Sequence, residues 1–213
     1  MIAPEGKIIL VPVILIVVIG TIVNYYYPMT WLKWMNVFFI SFTIFSLYFF
    51  REPNRILPTG QFDFISPADG KIIDISERED ADLGKVLNIS IFMNVFNVHR
   101  QWVPFDAKVI DAQYNKGKFF GAYRHKASMD NEQWAVIFET ENGIKFKTKQ
   151  IAGFIARRIL NYMEINENAS RGDRLGFIRF GSRVDILLPT NFVPNIKLGQ
   201  KVTGGETVIG ELK

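Results

Sequence analysis

Residues 134–150 read WAVIFETENGIKFKTKQ, two apolar runs, Trp134–Thr140 and Ile144–Gln150, on either side of Glu141-Asn142-Gly143. Asn-Gly between such runs predicts a β-hairpin whose type I′ turn needs positive φ at both central residues. On the second run Lys145, Lys147 and Lys149 alternate with Phe146 and Thr148, which predicts a strand with one solvated face. Close to a membrane the same lysine row could meet anionic lipid, and the residues leave that reading open. Outward from this hairpin the pattern persists. Leu87–Val95 (LNISIFMNV) alternates in part and is rich in β-branched residues, and from residue 52 short apolar runs are punctuated by Gly, Pro, Asn and Asp. Ala152–Tyr162 fits a short helix or a buried strand, and periodicity does not decide.

Gly172-Asp173-Arg174-Leu175-Gly176 is echoed by Gly205-Glu206-Thr207-Val208-Ile209-Gly210, with one residue inserted. Each follows a polar turn and leads into a short strand, as Gly-acid-x-aliphatic turns do in barrel-sandwich folds of the biotinyl/lipoyl type. Residues 52–213 are therefore expected to form a mainly β (α+β), barrel-sandwich-like domain with minor helix.

The N-terminal quarter is different. Residues 1–51 hold four charges (Glu5, Lys7, Lys33, Arg51) of the 46 in the chain. Residues 8–27 (IILVPVILIVVIGTIVNYYY) carry none, and 31–50 (WLKWMNVFFISFTIFSLYFF) carry only Lys33, near the end, where it can snorkel. At about 1.5 Å per residue, each run as a helix covers the ~30 Å hydrocarbon core. Pro28 separates them amid Tyr25, Tyr26, Tyr27, Trp31 and Trp34, the residues of an interfacial aromatic belt. Residues 1–51 thus read as a transmembrane helical hairpin, with a re-entrant or interfacial pair as the rival because Asn36, Ser41, Thr43 and Ser46 make the second run moderately polar. Lys7, Arg51 and Arg55 flank the outer ends, so positive-inside logic puts both ends, and the following domain, on the cytoplasmic side of the cell membrane.

Composition narrows the chemistry. The chain has 213 residues, no Cys, and a net charge of +4 split evenly between residues 1–51 and 52–213. Zero Cys removes disulfides, thiolate zinc sites and Cys nucleophiles. The near-balanced β region gives no case for nucleic acid. His99 and His125 are the only histidines and no HxH or HExxH accompanies them, so no metal site is expected. No GxGxxG after a strand, no GxxxxGK[ST] and no GxSxG occurs, so nucleotide cofactors and the hydrolase elbow are not expected either. Two segments remain. Ser66-Pro67-Ala68-Asp69-Gly70-Lys71 places a carboxylate in a tight turn before a strand, and by itself reads as an ordinary Asp-Gly turn. Phe180-Gly181-Ser182-Arg183-Val184-Asp185 puts Gly-Ser inside an apolar run, where glycine usually marks a bulge or a close backbone approach.

Taken together, in order, these segments carry a resemblance. Ser66–Lys71, Ile91–His99 (IFMNVFNVH), Lys126-Ala127-Ser128 with Asn131-Glu132, Gln150-Ile151-Ala152-Gly153, Ala156-Arg157-Arg158-Ile159 and Gly176–Asp185 (GFIRFGSRVD) follow an apolar hairpin. The chain resembles the short form of phosphatidylserine decarboxylase, a membrane-associated pyruvoyl enzyme of phospholipid synthesis, over essentially its whole length. The resemblance implies a chain cut by its own chemistry between Gly181 and Ser182 into 1–181 and 182–213, which stay associated. Ser182 would attack the Gly181 carbonyl and end as a pyruvoyl group that forms a Schiff base with the substrate amine. It further implies His99 as base, Asp69 as its orienting carboxylate, Asn131 and Glu132 on a substrate-side loop (121–132), and a serine phospholipid as substrate. It is compatible with a homo-oligomer, and implies no metal, no pyridoxal phosphate, no nucleotide and no nucleic-acid partner. Losing CO₂ from an amino acid leaves electrons that need a sink, and a carbonyl made from the chain supplies one where no cofactor motif exists. Longer members carry a second histidine three positions after the first; here that position is Trp102. Arg183 follows the nucleophile where other forms have Ser or Thr, and either a substrate phosphate or Asp185 could be its partner. His125 matches no motif of the family.

A non-enzymatic membrane adaptor or carrier is the competing reading. A carrier would present a modifiable lysine in Met-Lys-Met, and an adaptor would show heptad runs; the sequence has neither.

Overall fold

The computed structural model describes residues 1–117, 131–153, 158–179 and 181–213. His125, Lys126-Ala127-Ser128 and Ala156-Arg157 lie outside the described residues, as does Phe180. The chain divides into two compact units, Met1–Asn54 and Arg55–Lys213.

In the first unit, α1 (Lys7–Tyr26) and α2 (Thr30–Phe49) follow a 3₁₀ turn at Pro4–Gly6. Both are long and apolar enough to cross a membrane. The helix break is set by Pro28: its ring pushes the preceding residue out of the α region, and Tyr27 sits at φ −129, ψ 80. Pro12 lies inside α1 and removes one backbone bond there. Most of the apolar surface of α1, including Ile8, Val11, Leu15, Ile19 and Ile22, faces outward, while Leu10, Val13 and Gly20 are buried. Gly20 lets the helices close: a Cβ there would lie 2.3 Å from Asn36 Oδ1. Asn36 Nδ2 in turn donates to Thr21 Oγ1 at 3.4 Å. Below the helices, Ala3 N donates to Phe50 O (2.7 Å) and Glu52 N to Met1 O (2.7 Å), tying the N-terminus to the end of α2.

The second unit is mainly β. Its strands are β1 (Asp63–Ile65), β2 (Gly70–Asp80), β3 (Gly84–Met93), β4 (Arg100–Trp102), β5 (Ala107–Asn115), β6 (Gln133–Glu139), β7 (Lys145–Ala152), β8 (Ile159–Asn161), β9 (Asn168–Ala169), β10 (Arg174–Ile178), β11 (Ser182–Pro189), β12 (Lys201–Val202) and β13 (Val208–Glu211). An eight-stranded antiparallel sheet, ordered β12-β2-β3-β11-β7-β6-β5-β9, curls into a half-barrel. Beside it stand a three-stranded sheet, β4-β10-β8, and the pair β1-β13. Alternation builds the core: Ile89, Ile91 and Met93 of β3, Val184, Ile186 and Leu188 of β11, and Phe146 and Ala152 of β7 point to one side. Each such side chain contributes about 1.5–3 kcal/mol on burial. The two turns of the internal repeat are real, with Gly172 at φ 92 and Gly205 at φ 81 opening the way into β10 and β13.

Two expectations are corrected. The 134–150 hairpin forms, but its turn is not type I′: Gly143 is at φ 76 and Asn142 is not in the positive region. Gly143 N donates to Thr140 O (2.9 Å) and Ile144 N to Thr140 Oγ1 (3.1 Å), so Thr140 holds a three-residue loop closed by one left-handed glycine. The lysine row is not a uniformly wet face either. Lys145 is exposed, but the Lys147 side chain is 2% exposed and pairs with Asp80 and Asp82, while Lys149 reaches Asp80 at 3.0 Å. The tip of the β2–β3 hairpin covers that face of β7. Of the undecided stretch 152–162, the described part is extended, ending in β8.

Candidate active site

Ser182 opens β11, the strand at the middle of the half-barrel, so it is flanked on both sides: Met93 on β3 and Ala152 on β7 are its cross-strand partners. It is fully buried. Its Oγ donates to Met93 Sδ at 3.3 Å. Gly181 sits at φ 58, a left-handed conformation that favours glycine, and among the described residues a Cβ there would meet nothing within 4 Å. The backbone thus takes a left-handed turn immediately before β11.

His99, also fully buried, directly precedes β4. Asn94 and Asn97 close the turn before it: Asn94 N donates to Asn97 Oδ1 and Phe96 N to Asn94 Oδ1, both at 2.9 Å. The same turn aims the Asn97 carbonyl at His99 Nδ1, 2.9 Å away. A carbonyl can only accept, so in the neutral ring Nδ1 carries the proton and Nε2 the lone pair. Ile178 N donates to the His99 carbonyl at 3.3 Å, joining the histidine to the strand that leads toward Gly181.

Asp69 is held by Arg55 and by the Gly204 backbone. Arg55 Nη2 lies 2.9 Å from each carboxylate oxygen, and Gly204 N donates to Oδ1 at 2.8 Å. Trp102 lies beneath this pair: its ring has the Arg55 guanidinium 5.4 Å away and that of Arg100 5.2 Å away. The indole at the position of the second histidine thus supports the cation that grips Asp69. Gly70, next in sequence, admits β3 closely; a Cβ would fall 2.4 Å from Phe92 O.

Asn131 and Glu132 converge on Ala152, the cross-strand partner of Ser182. Asn131 Nδ2 donates to Ala152 O (2.7 Å) and Ala152 N to Glu132 O (2.9 Å). The Glu132 carboxylate accepts from Tyr114, whose phenol is pushed up by partial burial first and by the Glu132 charge second. Arg183 is turned to the opposite side of β11 from Ser182. Its Nε is 2.5 Å from Asp185 Oδ1 and its Nη2 is 2.7 Å from Ser90 Oγ, at 1% exposure.

Ser182 and Gly181 thus lie at the start of β11, Asn131 and Glu132 bond to Ala152 beside Ser182, His99 is joined to β10 through Ile178, and Asp69 is paired with Arg55. The sequence reading passed over Asn97, Met93 and Arg55. Asn94 and Asn97, three apart before His99, were the available signal for the turn. The groove of about 720 Å³ lined by Lys145, Phe192 and Asn195 lies at the Pro189 end of β11, away from Ser182. Among the described residues no group of acidic and histidine side chains could hold a metal.

The family model for phosphatidylserine decarboxylase matches residues 42–210. The chain is 44% identical to a phosphatidylserine decarboxylase proenzyme of Pelobacter propionicus over 83% of its own length and 81% of the relative. It is 46% identical to one of Neisseria gonorrhoeae (84% and 70% covered) and 44% identical to one of Desulfotalea psychrophila (84% of each). The chain belongs to the phosphatidylserine decarboxylase family.

Proposed function

We propose that this chain is a proenzyme that cuts itself between Gly181 and Ser182 and then decarboxylates phosphatidylserine to the ethanolamine phospholipid. The observation that carries the reading is the Gly181-Ser182 step itself: a left-handed glycine where a Cβ would meet none of the described residues, followed by a buried serine clamped between two strands.

Ser182 Oγ adds to the Gly181 carbonyl carbon, the Gly181–Ser182 C–N bond breaks, and the freed nitrogen takes a proton, leaving an ester. A serine hydroxyl needs a base for this. His99 is suited to it, since its Nδ1 proton is committed to Asn97 O and Nε2 carries the lone pair. Oγ must first turn away from Met93 Sδ, to which it donates in the uncut chain. Loss of the Ser182 Cα proton then expels the Gly181 carboxylate together with Oγ. Tautomerisation and addition of water release ammonia and leave a ketone on residue 182. The fit is intrinsic: the group is made from the atoms of Ser182, and small or apolar neighbours, Ala152 and Met93, flank it in a water-poor setting. When formed, the pyruvoyl carbonyl takes the substrate amine and draws off the electron pair left by CO₂.

The chain's own residues then hold substrate and protons in place. Asn131 and Glu132 border the strand partner of Ser182 and are placed to line the head-group side. Asp69, tied to Arg55 and Gly204, holds the turn before β2 and would serve as the orienting carboxylate for His99. Strands β11, β12 and β13 of 182–213 are each paired with strands of 1–181, which would keep the two pieces together after cutting. The helical pair would anchor the enzyme in the membrane with both ends cytoplasmic, in reach of a lipid that stays in the bilayer.

Denaturing electrophoresis with intact-mass analysis tests the proposal. Two pieces, 1–181 and 182–213, and ethanolamine lipid from phosphatidylserine vesicles are expected; Ser182→Ala should stay whole and inactive. A cut, active Ser182→Ala chain would refute the assignment.

A further inference from the structure

Behind Ser182 runs a line of buried side-chain amides that the reaction as described does not use. Gln101 on β4 is fully buried, and Gln150 on β7 is 1% exposed. Gln101 Nε2 donates to the His99 carbonyl at 2.6 Å and lies 3.8 Å from Met93 Sδ. Gln150 Nε2 donates to Gln101 Oε1 at 2.9 Å and to Leu160 O at 3.3 Å. Asn161 Nδ2, on β8, donates to Gln150 Oε1 at 2.8 Å, and Met163 N donates to Asn161 Oδ1 at 2.9 Å.

The two ends fix the direction of the whole line. His99 O can only accept, so Gln101 must turn its nitrogen toward it and its oxygen toward Gln150. Met163 N can only donate, so Asn161 must turn its oxygen toward it and its nitrogen toward Gln150. All three amides therefore have one orientation each, and every N–H of Gln101 and Gln150 has a partner. A buried polar network satisfied in this way is rigid, whereas one broken link strands its neighbours. Gly176 makes room for it: a Cβ there would sit 2.4 Å from Gln150 Nε2.

Gln101 is the point where the line meets the site. One of its N–H groups holds the backbone of His99, and the other faces the sulfur that accepts the Ser182 hydroxyl. We propose that Gln101, held by Gln150 and Asn161, is a positioning residue that sets His99 and Ser182 relative to each other for cutting and for turnover. This rests on the self-processing reading above. Gln150 and Asn161 are joined to the site by the hydrogen bond from Gln150 to Gln101.

The test uses the full chain in detergent micelles. Gln101→Met keeps the length of the side chain and removes its donors and acceptor; Gln150→Glu keeps the acceptor for Asn161 and sets an oxygen against Gln101 Oε1. Each variant is melted in the Ser182→Ala background, so that fold is compared in uncut chains. Each is then timed for cutting with Ser182 intact, and the cut fraction is assayed on phosphatidylserine in mixed micelles. We expect cutting at least tenfold slower in both variants, with melting lowered, more for Gln150→Glu, but the chain still folded at the assay temperature. In the cut enzyme kcat per titrated pyruvoyl group should fall while KM stays the same; counting active groups separates this from a loss of folded enzyme, which lowers only their number. Folded variants that cut and turn over at the wild-type rate would overturn the relay and leave the decarboxylase reading standing. A wild-type chain that is never cut would sink the parent reading and the relay with it. Should Gln101→Met fail to fold, Gln150→Met gives the same contrast from outside the site.

Discussion

Replacing Arg183 by Met removes the cation from an ion pair sealed inside the β unit. The guanidinium Nε stands 2.5 Å from Asp185 Oδ1, with Nη2 3.1 Å from Oδ2 and 2.7 Å from Ser90 Oγ. The two side chains are 1% and 0% exposed, so water cannot take over from the missing partner. Removing one member of a buried pair costs about 3–5 kcal/mol, because the remaining carboxylate stays desolvated or must take up a proton. Against a total stability of about 5–15 kcal/mol for a domain, that is a large share. The double variant Arg183→Met, Asp185→Leu removes both ions, so most of the loss should return. Urea unfolding followed by circular dichroism, on the full chain in micelles and in the Ser182→Ala background, measures both. Had Arg183 been set aside for a substrate phosphate, the single variant would keep its stability and the cut enzyme would show a raised KM. A single variant that loses less than about 1 kcal/mol, or a double variant no better than the single, would refute the reasoning.

Three further outcomes are expected. Gly181→Ala meets no clash among the described residues but must hold φ 58, so it should cost about 1 kcal/mol, leave the chain folded and slow its cutting; unchanged cutting in a folded variant would show that this backbone bend is irrelevant. Burial opposes the charge of Asp80, yet hydrogen bonds from Lys147 and Lys149 outweigh it and bring its pKa from 3.8 to about 2. Because the folded value is the lower one, this stability is present above about pH 4 and is lost as pH falls toward 2. After solvent screening at the hairpin tip it amounts to about 1–2 kcal/mol, and urea midpoints between pH 5 and 2 should fall less in Asp80→Asn than in wild type. Parallel curves would contradict it. Gly176→Ala puts a Cβ 2.2 Å from Leu160 O, which parts β10 from β8; a wild-type urea midpoint in this variant would mean that the strands sit differently.

How far the sequence reached depended on how local each cause was. The two apolar helices were legible to within a residue or two, since uncharged length and Pro28 determine them. The 134–150 hairpin was legible from alternation, but its turn class was not, because it hangs on the Thr140 hydroxyl reaching Ile144 N. Lys147 was misread as solvated because its burial depends on the β2–β3 tip, some 65 residues away in sequence, folding over it. Asp185, two residues from Arg183 on one strand face, was one of two partners the sequence left open, and only the burial of the pair decides for it. Asp69 could not be placed, as its partners Arg55 and Gly204 come from distant turns. Gln101 carries no signal, and Gln150 only that of a family segment, until β4 and β7 are brought together, which only the folded chain does.

The most direct test of the account is the intact mass of the C-terminal piece of the purified protein. The account predicts two chains in place of one of 24.5 kDa, the smaller being 182–213 and lighter by one ammonia than the same peptide beginning with serine. A single uncut chain without decarboxylase activity, or a 182–213 piece that begins with an ordinary serine, would contradict it.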